Sequence, residues 1–481
     1  MRKNNGLFTV YLRNCTVECP RVEAKIKGII PKWLKGSLLR NGPGLRKIGI
    51  DEYAHLFDYS SLIRKYSIEN GRVFYENKLL KSSSFKRNQE KQRIVVSEFG
   101  TECIADPCKT ILKRFMSYFT INELFTDNTA VGFMNVGDEV YACGDTPYIT
   151  KIEANSLDTV KTIDIRKLLA VNTLTSHPHT DADGNVYNMG SSVGHYNIVK
   201  IPRNNSLQNA SIVAKIATHR PFNPGYYHSF CLTENYFVFI EQALIISIPT
   251  LIQQHFFGGA NSNLLKWRPQ YKNKFFLISR KDGSVVNQKY ISEPFAFFHT
   301  INAYEEQNHV VVDICCYRDG NVLKALFTDA IKEAEIDTKA ARRDAKYIAS
   351  QAKRFVLPLL NSKDSIKVGE NVNSLSDSKA VAIVSKKNVV ECIPEALTEK
   401  SAAMAEMPTI NYSRCNGKKY RYFYAICRRD DLLLQLMKCD TKTKAIQIWS
   451  ENNCYPSEPI FVPHPHSVDE DDGKLFSASL T

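Results

Sequence analysis

Three histidines offer the clearest chemistry in this sequence. His177 lies in Thr175-Ser-His-Pro-His179, His228 in Tyr226-Tyr-His-Ser-Phe230 and His299 in Phe297-Phe-His-Thr-Ile-Asn302. They stand 51 and 71 residues apart, which excludes local zinc-finger and HExxH spacing. Imidazole nitrogen suits iron, copper, zinc or nickel. Three such rings gathered by a fold would make a metal site. The spacing alone also fits three separate, buried, hydrogen-bonded histidines. Other chemistries lack their motifs: there is no GxxxxGK[ST] phosphate loop and no GxSxG nucleophile elbow.

The elements that must position these residues read as many short strands. Arg72-Val-Phe-Tyr75 follows an Asn70-Gly71 turn, and Asn185 to Met189 follows Asp183-Gly184. Tyr236 to Ile240 is continuously apolar, as a strand buried on both faces should be. Phe275 to Ser279 and Ser284 to Tyr290 flank an Asp282-Gly283 turn. Arg93 to Val96, Val310 to Cys316, Ala380 to Ser385, Tyr420 to Cys427, Leu432 to Met437 and Ala445 to Trp449 continue the rhythm. Ile331 to Phe355 interrupts it with an Ala-, Lys- and Arg-rich stretch expected as a surface helix. No fixed-period repeat or low-complexity linker is visible, so one all-β domain over residues 1–481, a propeller or large barrel, is expected.

Composition narrows the partners. The chain is 43% hydrophobic and 23% charged, which excludes wholesale disorder. A net charge of +13 is spread diffusely. Without a compact basic-aromatic motif, nucleic acid is not an expected partner. The 13 cysteines lack CxxC spacing and read as reduced thiols of a cytoplasmic protein. The best apolar run, Tyr236 to Ile252, is broken by Glu241, Gln242 and Pro249, so no transmembrane helix is expected. Leu7 to Leu12 is too short for the core of a secretory leader. Cys108, Ile111, Leu112, Phe115, Met116 and Phe119 bracket a short amphipathic stretch with Lys109, Lys113 and Arg114 off the apolar face. Such a segment suits either a membrane interface or a helix packed on the core.

Motifs in a fixed order then make the sequence recognisable. They are Gly36-Ser-Leu-Leu-Arg-Asn-Gly-Pro-Gly44, His55-Leu-Phe-Asp58, Ala105-Asp-Pro-Cys-Lys109, Ser176-His-Pro-His179, His228-Ser-Phe230, His299 to Glu305, Val312-Asp-Ile-Cys-Cys316, Tyr455 to Phe461 and Glu470-Asp-Asp-Gly473. From about residue 20 onward the chain resembles the carotenoid cleavage oxygenases, especially the animal β-carotene oxygenase and retinoid isomerohydrolase branch. The resemblance implies a seven-bladed β-propeller with a helical cap and one Fe(II) held by four histidines. His177, His228 and His299 match three of them, and His179 matches a histidine that is not a ligand. Glu406, Glu458 and Asp145 match carboxylates that orient the ligand rings through hydrogen bonds. Asp145 is one methylene shorter than the family's glutamate, so the longest separation is expected there.

The implied activity is cleavage of a carotenoid C=C bond with O₂ to apocarotenal or retinal-type products. Two alternatives remain: a retinoid isomerohydrolase acting on a retinoid ester, and an impaired carotenoid-binding propeller. The family's fourth histidine lies some tens of residues beyond Gly473, whereas this sequence stops at Thr481. A C-terminally truncated propeller, poorly soluble and essentially inactive, is therefore expected. Tyr59 stands where the family usually has glycine. The resemblance also implies peripheral attachment to a membrane surface through the segment from Cys108 to Phe119.

Overall fold

The computed structural model describes residues 10–103, 125–203, 207–257, 259–360, 367–398, 404–428, 434–452 and 454–480. Six antiparallel-rich sheets of four or more strands follow one another along the chain. The first is built on Gly36–Arg40, Ser60–Glu69 and Arg72–Leu79, and the second runs from Gly132–Val136 to Thr159–Asp164. The third begins at Thr173–Leu174 and ends at Ser211–Ala217. The fourth contains Cys231–Leu232, Tyr236–Glu241, Asn273–Ser279 and Lys289–Ser292, and takes in the later hairpin Val381–Lys386 and Val389–Ile393. The fifth contains Ala296–Glu306, His309–Tyr317 and Ser350–Pro358, and the sixth runs from Ala405–Thr409 to Ile446–Trp449.

Hydrophobic clusters show how the sheets stack. Ile63 and Leu80 of the first pack on Ala142 and Ile152 of the second. Tyr141 and Ile149 pack on Val186 and Val199 of the third. Ile198 and Ile216 meet Phe237 and Phe239 of the fourth. Ile240 and Leu277 meet Val310 and Val312 of the fifth. Val311 and Cys315 meet Phe423 and Met437 of the sixth. Successive sheets packed face to face in chain order make an all-β propeller.

His309–Tyr317 shows why the sequence folds this way. Every residue in it is buried. Val310, Val312 and Ile314 face one core cluster, while Val311 and Cys315 face the next, as period-2 alternation requires. Each buried valine or isoleucine contributes roughly 1.5–3 kcal/mol. The polar exception is Asp313, which is fully buried and accepts from Arg354 Nε and Nη2 at 2.9 and 2.8 Å and from the Tyr420 hydroxyl at 2.7 Å.

Several expectations change. The resemblance implies seven blades, but six such sheets are present among the described residues. The last strands pair only two by two: Tyr455–Pro456 with Ser479–Leu480, and Ile460–Pro463 with Gly473–Phe476. Arg93 to Val96 is not a strand. The Asp51 carboxylate accepts from Arg93 Nε and the Ile94 N–H, and the Asn88 side chain accepts from the Val95 N–H. The stretch from Ile331 to Phe355 is neither one helix nor superficial. It holds the end of Thr328–Ile336, all of Thr338–Tyr347 and the start of Ser350–Pro358. Ile331, Ala334 and Ala341 are fully buried. No described helix is long and apolar enough to cross a membrane.

Two buried carboxylates make stability depend on pH. Asp58 accepts from the Gly100 N–H at 3.0 and 3.1 Å and from the Thr101 hydroxyl at 2.5 Å. Burial nevertheless pushes its pKa up from 3.8 to about 6. Glu98 is pushed well above its ordinary value, by burial first and by the Asp58 charge second. An acid whose folded-state pKa is raised binds its proton more tightly when folded. Its stabilising contribution is complete below about pH 4 and is lost as pH rises through about 6. Asp282 and Asp440, held near 2, do not titrate in that window. Buried histidines oppose this: His55, pushed down to about 4, and His177, pushed well down, cost stability as pH falls below about 6.5. The Asp58 share is therefore read by difference: the stability of the native protein relative to Asp58→Asn should rise as pH falls from about 7 to about 4.5. A difference that does not change with pH would contradict this account.

Candidate metal centre

The three histidines come from the starts of three successive sheets. His177 precedes His179–Thr180 of the third sheet, His228 precedes Cys231–Leu232 of the fourth, and His299 lies within Ala296–Glu306 of the fifth. Pairing slips between Phe297 and Thr300 and again between Thr300 and Asn302. Bulges of this kind re-aim a side chain. Local bonds fix each ring-bearing segment. The His177 N–H donates to Thr175 Oγ1 at 2.9 Å, and Asn188 Nδ2 holds the Thr175 carbonyl at 3.0 Å. A Cβ on Gly132 would come within 2.7 Å of the Ser176 carbonyl, so this close approach needs glycine. Buried Gln242 stitches the other two segments together. Its Nε2 donates to the Tyr226 and Phe297 carbonyls at 3.0 and 3.1 Å, and its Oε1 accepts from the Phe297 N–H at 3.0 Å.

The rings converge. Centroids are 4.5 Å apart for His177 and His228, 4.9 Å for His177 and His299, and 5.0 Å for His228 and His299. His177 Nε2 and His228 Nε2 are 2.9 Å apart, and one nitrogen from each ring falls within 4.8 Å of the others. Two nitrogens bound at right angles to one ion at about 2.1 Å would be about 3.0 Å apart, so the cluster fits a single metal ion. Two rings are oriented by carboxylates. His228 Nδ1 donates to Asp145 Oδ2 at 2.6 Å, and His299 Nδ1 donates to Glu406 Oε2 at 2.5 Å. That tautomer leaves Nε2 with its lone pair facing the other rings. Burial first, then the neighbouring His228 and His299, pushes the His177 pKa well down and keeps that ring neutral. Burial lowers the His299 pKa, but the charge and hydrogen bond of Glu406 outweigh it and the net shift is upward.

A model of the retinal pigment epithelial membrane protein family, RPE65, matches residues 12–480. The chain belongs to this family. Its curated relatives include the mitochondrial carotenoid-cleaving dioxygenase of Mustela putorius furo, 39% identical over 96% of this chain and 87% of that protein. The β,β-carotene 15,15'-dioxygenase of Rattus norvegicus is 38% identical over 98% of this chain and 84% of that protein. Among solved structures, cobalt-substituted Synechocystis ACO matches with a TM-score of 0.74 and an ACO/RPE65 chimera with 0.75. Their identities are 20% and 19%, over 98% of this chain and 90% of each of theirs. These two likenesses speak for the fold.

Not every residue expected to hold a ring of this RPE65-family chain does so. Glu458 pairs with Arg40, and its half-exposed side chain makes no hydrogen bond to the three rings, although its charge helps raise the His299 pKa. The reason is positional: Arg40, at the end of its strand, offers a buried guanidinium beside it. Asp145 was expected to be the most distant carboxylate, yet it touches His228 directly. It sits in the turn between Glu139–Cys143 and Tyr148–Ile152, and this backbone placement offsets the missing methylene. His179 is structural, bonded to the Phe230 carbonyl at 2.8 Å and the Tyr412 hydroxyl at 2.9 Å. His464 and His466 pack near Trp33, away from the cluster. Cys108, Ile111, Leu112, Phe115, Met116 and Phe119 lie outside the described residues. Ser176, Tyr226 and Gln242 were not anticipated. For the first two, adjacency to a ligand motif was the available signal.

Glu406 provides a direct test. Replacing it with alanine removes the acceptor of the His299 ring N–H. Metal retention is expected to fall by roughly 10–100-fold. Chelator competition measures it, and an unchanged affinity would remove Glu406 from the site.

Proposed function

We propose that this chain is an iron(II)-dependent dioxygenase that cleaves one C=C bond of a carotenoid with O₂ to give apocarotenal or retinal-type products. The observation that carries the reading is the convergence of His177, His228 and His299, two of them oriented by carboxylates, in a chain whose relatives are named carotenoid dioxygenases. Iron held there would supply the redox chemistry with O₂. The chain's own residues hold, orient and exclude. Asp145 and Glu406 fix the His228 and His299 tautomers. Phe298, 5.4 Å from the His228 ring, and Tyr317, 5.7 Å from Phe298, give an aromatic wall suited to a polyene. Such a wall keeps water from the reacting bond.

Two structural readings belong with this proposal. The C-terminal ladders form part of a seventh blade between the sixth sheet and the first. Phe461 stacks on Tyr424 at 5.1 Å, and the Glu458–Arg40 pair supports that placement from the other side. The helices Thr328–Ile336 and Thr338–Tyr347 form part of the cap. The protein works in the cytoplasm at a membrane surface. None of its 12 described cysteines is in a disulfide, which suits a reducing compartment. Exposed Val193, Phe222 and Ile252 lie on segments tied together by the Thr218 N–H to the Gly194 carbonyl and the Ile248 N–H to the Phe222 carbonyl.

Against the expectation of an essentially inactive chain, which rested only on where the sequence stops, protein expressed with iron should bind one ion per chain and yield aldehydes carrying oxygen from ¹⁸O₂. An alcohol product without that label, or no iron-dependent product, would refute the reading. Phe222→Ser with Ile252→Ser should reduce flotation with vesicles while leaving the melting temperature near that of the parent. Unaltered flotation would remove this face from the contact.

A further inference from the structure

Asp145 is held more completely than its role as a hydrogen-bond acceptor for one imidazole requires. Its Oδ1 accepts twice from Ser176, from the backbone N–H at 3.0 Å and from the hydroxyl at 2.9 Å. Its Oδ2 accepts from the Tyr226 hydroxyl at 2.6 Å and from His228 Nδ1 at 2.6 Å. Four donors on two oxygens leave the carboxylate one orientation. Ser176 is itself nearly fully buried, at 2% exposure. Its backbone is fixed by the adjacent His177 N–H to Thr175 Oγ1 bond and by the approach of Gly132. The hydroxyl is therefore aimed from a rigid mount.

We propose that Ser176 is a positioning residue for the metal centre: its hydroxyl fixes the Asp145 carboxylate, and through it the ring of His228. The inference rests on the reading that the three imidazoles hold a metal ion. The short Asp145 side chain makes the device necessary. An aspartate has one torsion fewer than a glutamate with which to seek its acceptor geometry, so the direction of its two oxygens is set by what grips the far one. Ser176 also stands next to His177 in the chain. One residue thus couples the backbone carrying one ligand to the carboxylate that orients another. A small slip of Asp145 would rotate His228 Nε2 away from His177 Nε2, now 2.9 Å away. Carboxylates that orient ligand histidines typically affect metal affinity by about 10–100-fold. A residue acting one step further out belongs at the lower end of that range.

The test uses Co²⁺ alone as the probe, with affinity measured by chelator competition on the full chain. Ser176→Ala should weaken binding about 10-fold, and Ser176→Thr, which keeps the hydroxyl, should stay close to the parent. Ser176→Cys, near-isosteric but a weak donor, should fall between them and serves if the alanine variant does not fold. Asp145→Ala should weaken binding by about 10–100-fold. The decisive arm adds Ser176→Ala to Asp145→Ala. A residue that works only through Asp145 has nothing left to act on, so the double variant should match Asp145→Ala. Equal affinities for the parent and both the alanine and cysteine variants would overturn the proposal. So would an undiminished further loss in the Asp145→Ala background. His228→Ala separates this failure from failure of the site: if that variant or the parent shows no histidine-dependent Co²⁺ binding, the metal reading itself falls, and Ser176 with it.

Discussion

If the centre holds iron as proposed, replacing His299 with alanine is expected to lower the affinity for it by at least about 100-fold. The figure is the upper end of what losing an orienting partner does, and losing the ligand itself should be no milder. A second effect adds to it. Glu406, almost fully buried at 2% exposure, would keep the Met407 N–H at 2.7 Å but lose the His299 ring N–H. A buried acceptor left with no partner costs about 1–3 kcal/mol, and Oε2, which keeps the Met407 N–H, should lose less than that. The melting temperature of the metal-free variant should therefore fall as well. Iron content per chain and apocarotenal yield measured on the same preparation provide the check. Retention of one iron with undiminished turnover would exclude His299 from the centre.

The second large effect lies away from the centre. Asp313→Ala should destabilise the fold by about 3–5 kcal/mol, because removing one member of a buried pair strands the other charge. Arg354 is 5% exposed and would keep its buried charge while losing both bonds to Asp313, together with an unpaired Tyr420 hydroxyl. Chemical denaturation measures the loss. A change below about 1 kcal/mol would mean that water reaches the guanidinium once the aspartate is gone. Paired replacement of Asp313 and Arg354 by apolar residues should be milder than Asp313→Ala alone.

The parts legible in the sequence share a physical cause. The strand from Tyr236 could be read because a chain buried on both faces must be apolar at every position, and the structure buries five of the six residues in Tyr236–Glu241. The all-β class followed from many such runs. The start of Ser350–Pro358 reads as helix because its first residues have helical composition. There, tertiary demand overrides propensity: the segment pairs in full with His309–Tyr317, and Arg354 must face Asp313. The helix expected to run through Asp337 breaks there, where the Asp337 side chain accepts from the Lys339 N–H and caps a second helix. Side-chain length alone suggested a distant Asp145, yet the turn carrying it decides the distance. The motif places Glu458 beside a ligand ring but says nothing of the guanidinium at Arg40 with which it pairs.

The arrangement of ring-bearing segments on successive sheets has a consequence for the protein's birth on the ribosome. His177 and His228 emerge early, but neither their mutual approach nor their orientation exists until the sheets around them are closed. The fourth sheet is completed by Val381–Ile393, and the partner of His299 waits for residue 406. At about 5–20 residues per second, roughly 10–50 s separate the first ring from the last carboxylate. A metal ion held there as proposed would find its three rings and both orienting carboxylates together only after residue 406 has emerged and the sheets have closed, so full loading would come late in synthesis or after it.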